Sequence, residues 1–484
     1  MNTGWISIIV LYAWFLCGLI AVKMHQRNKH ANKSLVFAFF FIGPFGLAWL
    51  YFVQYKDEIL KFIKSRNVKP EDTEYLDVVI MNNSGKEMSV SHNTANAAVI
   101  DAVKKMLYDA ITRRSSDIFI DPKDDASVVR FRVDGMIRIY DTLQSDQSSA
   151  AVSLIKVASG MDIAEKRRPQ DGSFSVICNG ISTSFRVATV GVYGGEKVTI
   201  RVIASENSHR DLADIGLTAE QLTLIRNSIK LPSGMILMCG PTGSGKTSTL
   251  YSMLGAIDYS MKNVISIEDP IERVVSNISQ MEVNVKAGIT FASLLRNCLR
   301  QNPDIICVGE IRDEETAEIA AHAAQTGHLI IATLHSNDNI GTIIRLTDLG
   351  IPLRSIASCL HLIISQRLVR ILCPHCKKPL DTPLSADQKA FCQRYNIDPA
   401  VLYTAPGCSE CDHTGFSGRK AVFEMLTMTH ELRAIMESPE SSISAIQEYI
   451  ERSQGDNSIL AITWYMLQKG EIPLDEFERV NINL

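Results

Sequence analysis

Residues 240–247 read Gly-Pro-Thr-Gly-Ser-Gly-Lys-Thr and match the pattern G-x-x-x-x-G-K-[ST]. Such a loop suits a nucleoside triphosphate. Its glycines let backbone N–H groups curl around phosphate oxygens, its lysine reaches the β and γ oxygens, and its hydroxyl residue ligates Mg²⁺. The expected binding residues are Gly240, Pro241, Thr242, Gly243, Ser244, Gly245, Lys246, Thr247 and Ser248, with Thr247 on the metal. Hydrolysis also needs acids near the metal and the attacking water. Glu310 closes the run Asp304–Glu310, an acid, an apolar stretch and a second acid, and is placed to hold the metal directly or through water. Glu268 leaves another apolar stretch and could orient or deprotonate the water. His335, at the end of a fourth apolar run, could sense the γ-phosphate.

A second constellation is built from sulfur. Cys373-x-x-Cys376 and Cys408-x-x-Cys411 are two C-x₂-C pairs with 31 residues between them. Paired knuckles of this kind suit a tetrahedral, structural Zn²⁺ held by four thiolates. The gap exceeds ordinary ribbon spacing, so a small helical insert is expected between the pairs. Redox pairs and disulfides are the rival readings, and His375 and Cys392 are spare ligand candidates.

Strands and helices must position these groups. Residues 235–239 form a continuous apolar run of strand length, followed by the loop and the helix-like TSTLYSMLGAI, whose N-terminal dipole would add to the anion site. Three further strand–acid or strand–His units lie downstream, which predicts an α/β core. Upstream, residues 97–204 mix a helical stretch with short alternating runs. Asp134-Gly135 and Gly194-Gly195 are hairpin signals there, so this part reads as a small α+β domain. Residues 205–484 are assigned to the phosphate-binding core, with the zinc element at about 372–413.

The 484 residues carry a net charge of −4, so no global basic field draws nucleic acid, and direct nucleic-acid binding is not expected. Eleven cysteines are too sparse for a disulfide-stapled scaffold. Residues 1–55 stand apart, with uncharged apolar runs at 5–22 and 35–53 that approach the ~20 residues needed to span a bilayer. No basic residue precedes the first run and no small-residue cleavage site follows it, so it is not a signal peptide. Lys23, Arg27, Lys29 and Lys33 between the runs, and the basic stretch 56–69 after them, both favour the cytoplasmic side. Either the second run re-enters around Gly43-Pro44, or a short external loop overrides the charge rule. Residues 56–96 read as a polar linker with at most a short strand.

Four stretches resemble the ATPases of type II secretion and type IV pilus assembly: GPTGSGKTSTL (240–250), ISIEDPIE (265–272), residues 299–338 from LRQNPD to LHSND, and SQRLVRILCPHC (365–376). The upstream domain joins in with SSDIFIDP, VRFRVDGMIR, DIAEKRRPQDGSF, FRVAT and GEKVTIRVI. The resemblance implies a RecA-like P-loop core and the hydrolysis of ATP. It also implies that Glu268 is the general base, Glu310 the Walker B metal partner and His335 a nucleotide-sensing residue. Arg186 and Arg201 would complete the site from the upstream domain. It further implies a homo-oligomer, a hexameric ring, acting on a platform protein at the cytoplasmic face of a bacterial inner membrane. In that family the tetracysteine element marks assembly and export members. Alternatives are a conjugative or DNA-uptake pilus motor, or a nucleotide-binding scaffold without turnover. Departures are Phe119 in place of the usual His, Asn302 in place of Asp, and the apolar front where relatives carry a soluble docking domain.

Overall fold

Alternation of apolar and polar residues builds the first of two large sheets. Its strands are β1 (Val79–Met81), β2 (Ser115–Pro122), β3 (Ala126–Val133), β4 (Met136–Gln144), β5 (Gln170–Cys178), β6 (Ile181–Val192) and β7 (Gly195–Ile203). They run in the order β1-β5-β6-β7-β2-β3-β4, and every neighbouring pair is antiparallel. In β3 the side chains of Val129 and Phe131 are buried under the helices Thr94–Thr112 and Ser145–Ala158. Arg130 instead pairs with Asp121, and Arg132 with Asp117. Asp134 and Gly135, both at positive φ, make the tight β3–β4 turn that the Asp-Gly pair predicts. Between β6 and β7 the two-residue turn is Tyr193-Gly194, and Gly195, the second glycine of the predicted hairpin signal, opens β7.

The computed structural model describes residues 77–88, 94–203 and 211–482. The two apolar runs and most of the polar stretch before residue 77 lie outside them. Among the described residues no helix is long and apolar enough to cross a membrane. Residues Val79–Leu484 form one compact unit.

The second sheet consists of β8 (Gly234–Cys239), β9 (Val264–Glu268), β10 (Ser279–Glu282), β11 (Ile305–Ile311), β12 (Leu329–Leu334), β13 (Leu360–Leu372) and β16 (Phe416–Thr427). Its order is β10-β9-β11-β12-β8-β13-β16, parallel throughout except for β16. Helices cover both faces, so the central strands are buried along their whole length and mostly apolar: all five residues of β9, Ser266 and Glu268 included, and all six of β12 are buried. In such sheets ligands bind beyond the carboxyl ends of the strands. Those ends here carry the loop after Cys239, Glu268, Glu310 and His335.

Between the two cysteine pairs lie the short strands β14 (Lys378–Pro379) and β15 (Tyr403–Thr404) and the helix Ala386–Arg394, the small insert that the long spacing predicts. Its Phe391 and Tyr395 pack edge-on against Phe477 of the C-terminal helix Leu474–Asn481. That helix also buries Glu476. The Glu476 carboxylate accepts from the backbone N (2.7 Å) and Nε (2.7 Å) of Arg370 on β13, and from Nε (2.9 Å) and Nη2 (2.6 Å) of Arg479. Burial pushes its pKa up, but the Arg479 and Arg370 hydrogen bonds outweigh burial and hold it below the ordinary 4.5. A depressed folded-state pKa stabilises the fold above the unfolded value and is lost as pH falls through the folded one. Thermal stability should therefore fall as pH drops below 4.5. Glu476→Gln should cost about 3–5 kcal/mol at neutral pH, the cost of stripping one partner from a buried pair, and should flatten that acid limb. Melting curves across pH test this; an unchanged neutral midpoint in the variant is the contrary result.

Candidate active site

The loop after β8 is wedged against β13. Gly240 (φ +141°) and Gly245 (φ +94°) sit where a side chain would collide: a Cβ on Gly240 would lie 2.4 Å from the Gln366 carbonyl oxygen, and one on Gly245 2.8 Å from Gln366 Nε2. β13 thus excludes a side chain at Gly240 by its backbone carbonyl, whereas at Gly245 the positive φ and the Gln366 side chain favour glycine. The Gly240 N–H donates to Ser336 O at 2.9 Å, tying the loop to the segment after β12. Lys246 opens the helix Lys246–Gly255 and is buried; its Nζ donates to the carbonyls of Gly240 (2.6 Å) and Pro241 (3.3 Å). Burial lowers its pKa. Ser244 Oγ is buried without a hydrogen-bond partner. A ring of positive-φ glycines, a buried ammonium and an orphaned hydroxyl at a helix N-terminus fit a polyphosphate.

Thr247 and Ser248 open onto a cleft of about 980 Å³ whose far wall comes from the first sheet. Arg201 of β7 lines it, held to Asp117 at 3.4 Å and well exposed, with Glu272 and Arg273 nearby. Arg186 sits opposite Arg201 in the β6–β7 register but reaches elsewhere. Its Nη1 bonds Glu272 Oε1 at 3.1 Å, and its Nη2 donates to the Ile271 carbonyl at 3.0 Å. Of the two arginines expected at the site, Arg201 faces the cleft and Arg186 grips the loop that follows Glu268.

The acids take different surroundings. Glu310 Oε1 lies 2.8 Å from His335 Nε2, and Oε2 accepts from Arg312 Nε at 2.7 Å. Arg312 Nη1 also bonds Asp269 at 3.1 Å, so one guanidinium joins the tips of β9 and β11. Glu310 is one of the negative charges that act on the Lys246 ammonium. Glu268 is buried, and its carboxylate accepts from the hydroxyls of Tyr251 and Ser266 (2.7 Å for the latter) and from Gln280 Nε2 (2.9 Å). Gly309 packs against it: a Cβ there would lie 3.1 Å from Ile267 O and 3.4 Å from Glu268 Cα.

The sulfur cluster closes on itself. Cys373, Cys376, Cys408 and Cys411 bring all four Sγ atoms within 4.8 Å, with separations of 3.9 Å (373–408), 3.9 Å (376–411) and 3.8 Å (408–411). Four sulfurs at ~2.3 Å around a tetrahedral ion stand about 3.8 Å apart, so the set fits Zn²⁺. Burial opposes ionisation of Cys411, but N–H donation from Cys408 and Gly415, both at 3.2 Å to Sγ, lowers its pKa to about 6. The knuckle and β16 touch the upstream α+β domain. Arg113 Nη1 pairs with Asp412 at 2.8 Å, Arg138 Nη1 donates to His413 O at 3.2 Å, and Arg419 Nε bonds Asp134 at 3.2 Å.

A family model described as type II/IV secretion system protein matches residues 92–479. The chain belongs to this family. The type II secretion system ATPase E of Vibrio cholerae is 41% identical over 355 residues, covering 73% of this chain and 70% of that one. The type IV pilus assembly ATPase PilB of Pseudomonas aeruginosa is 37% identical over 410 residues, covering 84% and 72%. Among solved structures, the pilus retraction motor PilT with bound ADP aligns with a TM-score of 0.54 at 26% identity, over 78% of this chain and 96% of that one.

As a member of the type II/IV secretion family the chain is an ATPase, and its α/β core with the tetracysteine cluster is the fold expected from the sequence. Sequence reasoning passed over four groups that this secretion ATPase brings to the site. Arg312 follows Glu310 by two residues and could have been marked as its counter-charge. Gln366 lies within the SQRL stretch but was given no role. Tyr251 lies within TSTLYSMLGAI, where nothing in the sequence marks its hydroxyl. Gln280 belongs to a strand with no apolar signature.

Proposed function

We propose that this chain is a membrane-tethered, Mg²⁺-dependent motor whose ATP hydrolysis powers assembly of a type IV pilus or a type II secretion pseudopilus. The observation that carries the reading is the cleft in which Thr247 and Ser248 of the core face Arg201 of the first sheet, since work is extracted by moving one against the other. Lys246 binds the β and γ phosphates, and Thr247 and Glu310 hold the metal. When bound, Mg²⁺ neutralises charge on the phosphates. Glu268 is the general base, His335 reports on the γ-phosphate through Glu310, and Arg201 adds positive charge from across the cleft. Cys373, Cys376, Cys408 and Cys411 hold a structural Zn²⁺. The relatives' names support the machine.

In this reading residues 1–55 insert in the bacterial inner membrane, 56–96 link them to the 97–204 domain, and 205–484 form the core on the cytoplasmic side. The chain acts as a homo-hexamer on an inner-membrane platform protein and binds no nucleic acid. Replacement of the gene in its host by a Glu310→Gln copy tests it. The variant should remain with membranes through carbonate extraction while surface pili or type II-exported proteins disappear. Retention of both outputs counts against the motor, and release of the chain counts against the tether.

A further inference from the structure

Glu268 is held from two sides that differ in kind. Its Oε1 accepts from Ser266 Oγ at 2.7 Å and Gln280 Nε2 at 2.9 Å. Ser266 is on the same strand, and Gln280 stands directly opposite Ser266 in the β9–β10 register. That oxygen is held from within the sheet, though Gln280 also bonds the 273–275 segment. Its Oε2 accepts, among the described residues, from the Tyr251 hydroxyl. A carboxylate oxygen has two lone pairs, so Oε2 keeps one acceptor position, and the tyrosine decides where it points.

Tyr251 is not part of the β9–β10 pair. It sits on the helix Lys246–Gly255, whose first turn carries Lys246 and Thr247. Its hydroxyl also accepts from the Arg273 N–H at 3.2 Å, and the Arg273 guanidinium lies 5.5 Å from its ring centre. Arg273 directly follows Glu272, which with the Ile271 carbonyl is gripped by Arg186 of β6 at 3.1 and 3.0 Å. A continuous path runs from the first sheet through residues 271–273 and the Tyr251 hydroxyl to the Glu268 oxygen that this hydroxyl holds.

We propose that Tyr251 is a positioning residue that aims Glu268 Oε2 at the water, and that Arg186, through the 271–273 segment, makes this aim depend on where the first sheet lies. This rests on Glu268 being the general base. When the first sheet shifts, the Arg273 N–H moves, the hydroxyl turns with it, and the carboxylate is aligned or misaligned. Gln280 stabilises the return path: its Oε1 accepts from Val275 N at 2.7 Å and its Nε2 donates to Arg273 O at 2.9 Å.

Steady-state ATP hydrolysis by the full-length chain tests the proposal in two cycles. Tyr251→Phe keeps the buried ring and removes only the hydroxyl. Its kcat should fall about tenfold with KM for ATP unchanged, the signature of a misaimed group rather than weakened binding. In a Glu268→Gln background the same change should cost nothing further. A raised KM with intact kcat, or an equal loss in the Gln background, overturns the positioning role. Glu268→Gln turning over as wild type would instead overturn the base assignment itself, a different failure. Arg186→Ala gives the second cycle and does not need the tyrosine variant to fold well. Its kcat loss should be absent when Glu268 is Gln, and fully additive losses overturn the link to the first sheet.

Discussion

Lys246→Ala should abolish ATP turnover, with kcat lower by about 10²–10³-fold or more, the cost of removing a preorganised charge from a transition state. Lys246 is 8% exposed and its ammonium already donates to two carbonyls of its own loop. An ammonium has three donors, so at least one remains for a phosphate oxygen, and the two bonds in place hold it without a further ordering cost. Burial, which lowers its pKa, shows how little water screens it, and unscreened charge acts most strongly on the developing negative charge. Arginine is no substitute, because a planar guanidinium cannot replace a compact ammonium inside the loop. Mg²⁺-dependent phosphate release by full-length wild type and variant measures the effect. Turnover within twofold of wild type would falsify the assignment of this loop to catalysis.

The second large effect concerns sulfur. Cys408→Ser should reduce bound zinc from about one per chain to well below that, and should unfold the knuckle. Structural zinc contributes about 10–16 kcal/mol in isolated fingers. Here the loss is local, because the knuckle is rooted in β13 and β16, which remain paired. Two consequences separate this from a general weakening. The insert should become open to trypsin at Lys389 and Arg394, while the core sheet resists. The Arg113–Asp412 pair and the Arg138 bond to His413 O should be lost with the loop that presents them, loosening the first sheet from the core. Metal analysis with limited proteolysis reads both. Full zinc in the variant, or an unaltered cleavage pattern, sinks the four-thiolate reading.

The central strands of the second sheet could be read directly from residues because parallel strands buried on both faces leave continuous apolar runs: Met235–Cys239 and Leu329–Leu334 announce themselves. The nucleotide loop and the cysteine pairs were equally legible, since their chemistry depends on spacing along the chain. What escaped depends on spacing across it. The edge strand β10, Ser-Gln-Met-Glu, has no buried residue and so no hydrophobic signature, and β1 is three residues inside a polar stretch. Gln280 meets Glu268 because two parallel strands share a register that nothing in either strand declares. Arg113 meets Asp412 across 299 residues. The different tasks of Arg186 and Arg201 were hidden too, because register partners on one sheet face look alike in sequence.

β13 has a mechanical consequence. It pairs with β8 as far as Ser365 opposite Cys239, and beyond that only β16 accompanies it, to Leu372 opposite Phe416. Residues 366–372 therefore extend about 23 Å, at ~3.3 Å per residue, as a two-stranded ribbon backed by the C-terminal helix Leu474–Asn481 through Arg370 and Leu368. Its root is Gln366, whose carbonyl presses on Gly240 and whose side chain accepts from Thr249 Oγ1 at 2.8 Å. Its tip bears the cysteine knuckle, which the upstream domain holds by Arg113 and Arg138. The helix stiffens this ribbon, so it acts as a lever rather than a hinge. A pull on the upstream domain at the knuckle would thus reach, through one strand, the residue that seats the phosphate loop.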